Sequence, residues 1–261
     1  YIIMQMYLKK HKWLYCYKFM MCSNGLLYDS PKVQKIVRRY YTNFQISISI
    51  DGSKEKHDLS RKKKDGSGSY DEIARIIPLW LKQQGVHSTK ATFAHDDIVF
   101  LKDSIINLWN LGISNVMANV VFEDVWKDGD DIEFEKQLKE LSDYIIDNKL
   151  WDKYSVRFFA HSLGTPLHDD LLCNNFCGAG KMLAISTDGR FFPCMRFMES
   201  ALNSSKPPLV IGDINSGLSK DKVRAFYALN LQDQSEEECI NCSVATGCAW
   251  CTALNYNCSE N

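Results

Sequence analysis

The chain has 261 residues, of which 45% are hydrophobic and 24% charged, so it can bury a sizeable core in one or two domains. Its 31 basic residues nearly balance its 32 acidic residues, which gives a formal net charge of −1. This balance excludes broad electrostatic attraction to nucleic acid or to an anionic membrane as the main activity. No apolar run reaches the roughly 18 residues that a membrane span needs. We therefore expect neither nucleic acid nor membrane as a partner.

The first residues are apolar, and the lysines at positions 9, 10 and 12 follow this apolar segment. A secretory signal has the reverse order, with its positive charges first. We therefore expect a cytoplasmic protein.

Short apolar strands alternate with helical patterns over the first 150 residues. Strands are predicted at 17–22, 44–51, 89–93 and 115–122. Helices are predicted to begin at Ser30-Pro31 and at the capping-box sequence 69–72, and to cover 99–111 and 132–150. This alternation predicts βαβ units and a parallel sheet, either a barrel or a doubly wound sheet. The alternation stops near residue 150, so we predict a domain boundary between 1–150 and 151–261.

The strand predicted at 44–51 separates apolar from polar side chains. Its three isoleucines share one face, whereas Ser47, Ser49 and Asp51 share the other. In a βα barrel the second face points inward, and functional groups gather where the strands end. Ser49 and Asp51 are therefore candidate site residues. The alternative is an antiparallel strand with one solvated face.

Eight of the ten cysteines lie in the last third of the chain: Cys173, Cys177, Cys194, Cys239, Cys242, Cys248, Cys251 and Cys258. Tight Cys-x2-Cys spacings without a secretion signal favour metal over disulfides, and eight thiolates suffice for two four-coordinate sites. A zinc ribbon separates its cysteine pairs by roughly 15–20 residues, but only five residues lie between Cys242 and Cys248. Iron–sulfur clusters fit better, with structural zinc and disulfides as alternatives. Cys22 lies in a predicted apolar strand and is expected to be buried.

This cysteine pattern resembles the SPASM domain of radical S-adenosylmethionine (SAM) enzymes. It consists of Cys177, Gly189 and Cys194, then a Cys-x2-Cys-x5-Cys-x2-Cys run from Cys239, and finally Cys258. The stretch 177–197, CGAGKMLAISTDGRFFPCMRF, is similar to the opening of such domains.

The first part of the chain is similar to a radical SAM partial barrel. Ser-Ile-Asp-Gly at 49–52 with His57, Asp58 and Arg61 resembles its fourth strand and the loop that follows, and Cys-Ser-Asn-Gly at 22–25 resembles the end of its third strand. The resemblance implies that four residues contact SAM: Asn24, Ser49, Asp51 and Arg61. An arginine can grip a carboxylate through two parallel hydrogen bonds. The residues alone leave alternatives, a turn for Asn24 and a solvated loop for Arg61.

The chain lacks the family's CxxxCxxC hallmark, which holds the cluster that cleaves SAM, and it lacks the Gly-Gly-Glu motif that binds the SAM amino group. When the predicted strands and helices are counted against those of the barrel, the chain is expected to begin around the second helix. Either an N-terminal part is lost or the protein is a degenerate relative. We expect this chain alone to perform no radical chemistry.

The resemblance implies an α/β fold, with an incomplete radical SAM (β/α)6-type partial barrel over 1–150. A small cysteine-rich α+β iron–sulfur domain would follow over 151–261. It also implies two auxiliary [4Fe–4S] clusters, with SAM as a further cofactor of the full-length enzyme. The first cluster would be held by Cys173, Cys177, Cys194 and Cys251. The second would be held by Cys239, Cys242, Cys248 and Cys258.

The function implied by the resemblance is modification of a ribosomally made peptide by thioether or carbon–carbon crosslinks. Its partners would be a precursor peptide or protein substrate and a reductant such as flavodoxin or ferredoxin. Met195 stands where sulfatase-maturing relatives carry an acidic base, which argues against that chemistry. The alternative function is a non-catalytic iron–sulfur or zinc protein that binds a peptide or transfers electrons.

Overall fold

The computed structural model describes residues 2–12, 17–40, 42–85, 87–123, 125–175, 177–198, 206–248 and 250–258. The chain divides into two compact units. The first comprises Tyr1–Val121 and Val125–Ala160, and the second comprises Phe122–Asp124 and His161–Asn261.

The first unit alternates helices and strands. Its elements are α1 (Ile2–Lys10), β1 (Phe19–Ser23), α2 (Pro31–Tyr40), β2 (Phe44–Ile48), α3 (Lys54–Ser60), α4 (Tyr70–Gln84), β3 (Ser88–Phe93), α5 (Leu101–Asn110), β4 (Asn115–Val120), α6 (Asp130–Asp147) and β5 (Ser155–Val156). A 3₁₀ turn, His95–Phe100, leads into α5. Helices α1 and α3 were not among the predicted elements.

All strand pairs described in the first unit are parallel. Strand β1 pairs with β2, with Phe19 opposite Phe44, and β4 pairs with both β3 and β5. The predicted α/β class with parallel strands is therefore confirmed. The described strands form a two-stranded and a three-stranded ladder, so the partial barrel remains a prediction.

The core of the first unit lies where helix α4 covers β2. Ile46, Ile48 and Ile50 are at most 3% exposed, as their alternation predicts, and Ser47 and Ser49 are half-buried. Trp80 is fully buried, and its indole Nε1 donates a hydrogen bond of 2.7 Å to the carbonyl of Ile46. The period-two pattern therefore sets which face of this strand is buried.

The expectation that Cys22 is buried is wrong. Cys22 is exposed in β1, and the neighbouring Met20 and Met21 are 68% and 42% exposed. An apolar strand sequence does not bury its residues unless other elements cover it, and the described residues leave these three side chains accessible.

The start of α4 differs from the predicted capping box. Ser69 makes no side-chain cap; instead, Asp58 Oδ1 accepts hydrogen bonds from the backbone N–H groups of Ser69 (2.8 Å) and Tyr70 (3.0 Å). Gly68 permits this contact, because a Cβ atom there would lie 2.1 Å from the Asp58 carboxyl group. A residue one helix earlier thus caps α4.

The second unit is built on a small antiparallel sheet. Its elements are α7 (Asp169–Leu172), β6 (Ala184–Ile185), β7 (Arg190–Phe192), β8 (Gly212–Asp213), β9 (Gly217–Leu218), α8 (Lys220–Ala228), α9 (Glu237–Ile240) and α10 (Thr252–Cys258). The sheet order is β6-β7-β8-β9. Its core contains Phe192, Phe197, Ile211 and Phe226, each at most 8% exposed.

Among the described residues, no helix combines the length and the apolar character needed to cross a membrane.

Candidate cofactor and cysteine sites

The segment after β2 brings two predicted site residues together. Arg61 Nε donates to Asp51 Oδ2, and Arg61 Nη2 lies 3.3 Å from Asp51 Oδ1. The pair is partly accessible, with the Arg61 side chain 38% and the Asp51 side chain 17% exposed. Arg61 therefore has a two-point carboxylate contact within its own chain, the kind of contact expected of an arginine fork.

A fully buried histidine holds this segment in place. His57 Nδ1 accepts a hydrogen bond of 3.3 Å from the Asp51 backbone N–H, so the ring proton is on Nε2, which lies 3.0 Å from Ser69 Oγ. The Ser69 hydroxyl in turn donates to the Arg61 carbonyl at 2.9 Å. Burial lowers the pKa of the His57 imidazole below its usual value, which favours the neutral ring that this network requires.

The structure adds a buried ion pair that sequence reasoning missed. Lys56 is 3% exposed, and its Nζ lies 2.8 Å from both Asp97 Oδ2 and the Thr92 carbonyl oxygen. The same ammonium group lies 4.6 Å from the centre of the Phe93 ring. Lys56 lies in the charged stretch KEKHD, which is typical of a solvated surface, so the sequence carried no signal for its burial.

The other two predicted SAM contacts, Asn24 and Ser49, each form a hydrogen bond with the backbone of a nearby residue. Asn24 Oδ1 accepts a hydrogen bond of 3.3 Å from the Leu26 N–H, and Gly25 has φ +81°, a geometry that supports the turn interpretation. The backbone N–H of Ser49 donates to the Ser23 carbonyl at 2.9 Å. Contacts of Asn24, Ser49, Asp51 or Arg61 to SAM remain predictions.

Three of the predicted ligands of the first cluster converge on the core of the second unit. Cys177, Cys194 and Cys251 are half-buried and pack against that core, whereas Cys173 is exposed. Burial raises the pKa of the Cys194 thiol, and the nearby Cys177 and Cys251 raise it further. The backbone N–H groups of Arg196 and Phe197 lower the pKa of Cys194, but they do not offset the upward shift. The pKa of Cys194 is therefore raised overall.

The predicted ligands of the second cluster lie on successive turns. The N–H of Cys242 lies 3.4 Å from the Cys239 carbonyl, and the N–H of Cys248 lies 3.0 Å from the carbonyl of Ala245. Cys239 and Cys248 are exposed and Cys242 is half-buried. The side chain of Cys258 lies outside what the structure describes.

A pair of threonines fastens this cysteine segment to the chain that precedes Cys173. The Thr246 hydroxyl accepts a hydrogen bond of 2.8 Å from the Thr165 N–H and donates one of 2.9 Å to the Thr165 carbonyl. The N–H of Thr246 also donates to that carbonyl at 3.0 Å. This Thr165–Thr246 clasp joins residues 81 positions apart.

The donor set fits iron–sulfur clusters. The cysteines whose side chains the structure describes are free thiols: Cys22, Cys173, Cys177, Cys194, Cys239, Cys242, Cys248 and Cys251. Asn175, between Cys173 and Cys177, accepts the Cys177 N–H through Oδ1, while its buried Nδ2 has no hydrogen-bond partner among the described atoms. Such an amide is suited to a sulfur acceptor. In the described ranges, no three His, Cys, Asp or Glu side chains are arranged to hold a single metal ion.

No protein-family profile and no curated protein sequence matches the chain. Its fold is similar to solved structures of anSMEcpe. Native anSMEcpe with bound AdoMet and the Cp18Cys peptide has a TM-score of 0.63 at 18% identity, covering 94% of this chain and 70% of that chain. Hexahistidine-tagged anSMEcpe with bound AdoMet has a TM-score of 0.60 at 17% identity, covering 91% and 64%.

The fold is also similar to that of Streptococcus suis SuiB bound to the precursor peptide SuiA. This match has a TM-score of 0.52 at 12% identity and covers 91% of this chain and 55% of that chain. The chain therefore spans between 55% and 70% of the chains in these three structures. Identities this low establish the fold alone. At that level, the predicted resemblance to radical SAM enzymes with a SPASM domain is confirmed.

Proposed function

We propose that the chain is the C-terminal portion of a radical SAM/SPASM enzyme that modifies a ribosomally made peptide. The observation that carries this proposal is the convergence of Cys177, Cys194 and Cys251 on one core. The fold similarity to proteins solved with AdoMet and with peptides supports it.

Two auxiliary [4Fe–4S] clusters are the cofactors of this proposal. Cys173, Cys177, Cys194 and Cys251 hold the first cluster, and Cys239, Cys242, Cys248 and Cys258 hold the second. When bound, such a cluster supplies a one-electron acceptor or a site for a peptide thiolate. The chain's own contribution is to hold Cys177, Cys194 and Cys251 against one core, partly shielded from solvent.

In the first unit, the Asp51–Arg61 pair is the proposed contact for SAM, with Asn24 and Ser49 at neighbouring strand ends. Arg61 keeps 38% of its side chain accessible, so its guanidinium can exchange the Asp51 carboxylate for the carboxylate of a ligand. Thioether or carbon–carbon crosslinks are the proposed products, and a flavodoxin or ferredoxin in the cytoplasm is the proposed reductant. Met195, which is 74% exposed, offers no base for sulfatase-type oxidation.

The test is the metal content of the chain purified without oxygen. We expect about eight irons and eight sulfides per chain, as two [4Fe–4S] clusters need. Cys177→Ala should lower the iron content to about four, because the first cluster loses a ligand while the second keeps all of its own.

Cys22→Ala is the matched control, because Cys22 is an exposed cysteine of the first unit. It should keep the full iron content. Two zinc ions per chain with no iron would instead support the non-catalytic zinc protein, and iron loss in Cys22→Ala alone would refute the ligand assignment.

A further inference from the structure

Asn175 lies between two predicted ligands of the first cluster, Cys173 and Cys177. Its side-chain Oδ1 accepts a hydrogen bond of 3.0 Å from the Cys177 backbone N–H. Because that N–H group can only donate, its partner must be the amide oxygen, which identifies the other amide atom as the NH2 nitrogen, Nδ2. Nδ2 is bonded to the same carbon as Oδ1, so the amide places a donor with two protons beside the backbone of Cys177.

This donor is buried and has no hydrogen-bond partner among the described atoms. Two other buried side-chain atoms of the described residues share that property, Trp109 Nε1 and Ser235 Oγ. Asn175 is two positions from a predicted ligand on either side, and Ser235 precedes Cys239 by four positions. Native proteins rarely leave a buried amide unsatisfied, so Nδ2 indicates an acceptor that is not one of the described atoms.

The backbone holds the turn that carries Asn175. The N–H of the preceding residue, Asn174, donates to the Leu171 carbonyl at 3.0 Å, and the Asn174 carbonyl accepts the Leu231 N–H at 3.0 Å. Leu231 is 2% exposed. Together with the bond to Cys177, these contacts fix the amide, so little reorganisation is needed for Nδ2 to donate to a group that Cys177 holds.

The sulfur atoms of an iron–sulfur cluster accept hydrogen bonds, and such bonds shift its reduction potential. Reduction adds one electron and makes the cluster more negative, so a donor stabilises the reduced form more than the oxidised form. We propose that Asn175 Nδ2 donates a hydrogen bond to a sulfur atom of the first cluster and raises the reduction potential of that cluster. This inference rests on the proposed function, because it requires the first cluster to be bound.

The first experiment is hyperfine spectroscopy of the complete chain with both clusters loaded and reduced by dithionite. Asparagine labelled with ¹⁵N in its side-chain amide is incorporated, and the unsubstituted chain should show a ¹⁵N coupling to a reduced cluster. Asn175→Asp should lose that coupling, although it keeps an oxygen for the Cys177 N–H. Asn174→Asp is the matched control, since the exposed Asn174 amide donates to the Asp170 carbonyl at 2.7 Å, and it should retain the coupling.

An EPR-monitored redox titration at about pH 8, where a carboxyl group is ionised, gives the second readout. Asn175→Asp should lower the equilibrium constant for reduction of one cluster about tenfold, equivalent to about 59 mV for one electron, and leave the other cluster unchanged. Asn174→Asp adds the same charge at an exposed, screened position and should shift the potential far less. Asn175→Ser keeps a hydroxyl oxygen for the Cys177 N–H without adding charge, so it replaces Asn175→Asp if that variant loses iron.

A fully loaded, unsubstituted chain without a ¹⁵N coupling, or a coupling that the Asn175 variants retain, would overturn the inference and leave the proposed function intact. A buried water as the acceptor of Nδ2 would give this result. Equal shifts of potential in Asn175→Asp and Asn174→Asp would also overturn it, since charge alone would explain them. Absence of iron from the unsubstituted chain would instead refute the proposed function itself.

Discussion

Lys56 and Asp97 form an ion pair in the interior of the first unit, with 2.8 Å between Nζ and Oδ2. Lys56 lies in α3, whereas Asp97 lies in the 3₁₀ turn ahead of α5 and also accepts the Ala94 N–H at 2.7 Å. The pair therefore joins the segment after β2 to the segment after β3. Both segments follow the carboxyl ends of parallel strands, where α/β proteins place their functional groups.

Asp97→Asn should strongly destabilise the first unit. The substitution leaves the Lys56 ammonium 3% exposed without its counter-charge. Breaking a buried pair from one side costs about 3–5 kcal/mol. Urea unfolding of the cluster-free chain measures the loss. Lys139→Ala, which breaks the exposed Lys139–Glu135 pair (2.6 Å), is the control and should leave the unfolding midpoint unchanged. Equal unfolding midpoints for the two variants would contradict the conclusion that the Lys56–Asp97 pair is a buried, stabilising ion pair.

The stability of the first unit should decrease as the pH falls through a window set by His57. Its imidazole is fully buried, and burial lowers its pKa below the usual 6.5. Above pH 6.5 the His57 ring is neutral in both the folded and the unfolded chain, so its contribution to the stability of the first unit is fully present. As the pH falls below 6.5, the unfolded chain binds a proton that the folded chain does not, and stability decreases until the pH reaches the folded pKa.

The measurement is the free energy of unfolding at a series of pH values between about 5.5 and 7.5. His57→Gln should remove most of the slope, since no imidazole remains to take up the proton in the unfolded state. His87→Gln changes an exposed ring and should retain it. If both variants keep the slope of the parent chain, His57 is not its source.

Gly68→Ala should remove the cap of α4. The new Cβ would lie 2.1 Å from the Asp58 carboxyl group, which must then leave the N–H groups of Ser69 and Tyr70. Loss of such a cap costs about 0.5–2 kcal/mol. In an Asp58→Ala background the same glycine substitution should cost little more, because the side chain with which it collides is gone. Additive losses in the double variant would show that the clash is elsewhere.

The chain alone, with dithionite and SAM, should produce no 5′-deoxyadenosine. Cleavage of SAM needs a cluster with an open iron held by a CxxxCxxC motif, and this sequence contains none. A cluster with four thiolate ligands has no vacant iron for SAM. Mass spectrometry of the anaerobic reaction checks this outcome against a protein-free blank. Nucleoside above that blank would mean that one of the clusters has an open iron.

Residue patterns predicted much of the first unit. The alternation of Ile46, Ile48 and Ile50 fixes the buried face of β2, and Ser30-Pro31 marks the start of α2. Local periodicity is decisive there, because burial on one face is a property of consecutive residues. The cysteine spacing likewise singled out the candidate metal ligands, and three of these, Cys177, Cys194 and Cys251, pack against the core of the second unit.

Tertiary contacts decided what the patterns could not. Lys56 carries a charge in a charged stretch, yet it is buried because Asp97, 41 positions away, neutralises it. Asp58 rather than Ser69 caps α4, because a glycine lets its carboxylate approach. The exposure of Cys22 likewise depends on which elements cover β1 and not on the apolar character of the strand.

The Thr165–Thr246 clasp has a consequence for how the cysteine-rich unit assembles. Closing a flexible loop of 81 residues costs about 4 kcal/mol of chain entropy, by the (3/2)RT ln n relation. The clasp and the cysteines enclose nearly the same stretch of chain, so whichever forms first removes most of that cost for the other. If the proposed clusters form, thiols that are far apart in sequence are then drawn together at a high effective concentration, and iron uptake would be coupled to folding of this unit.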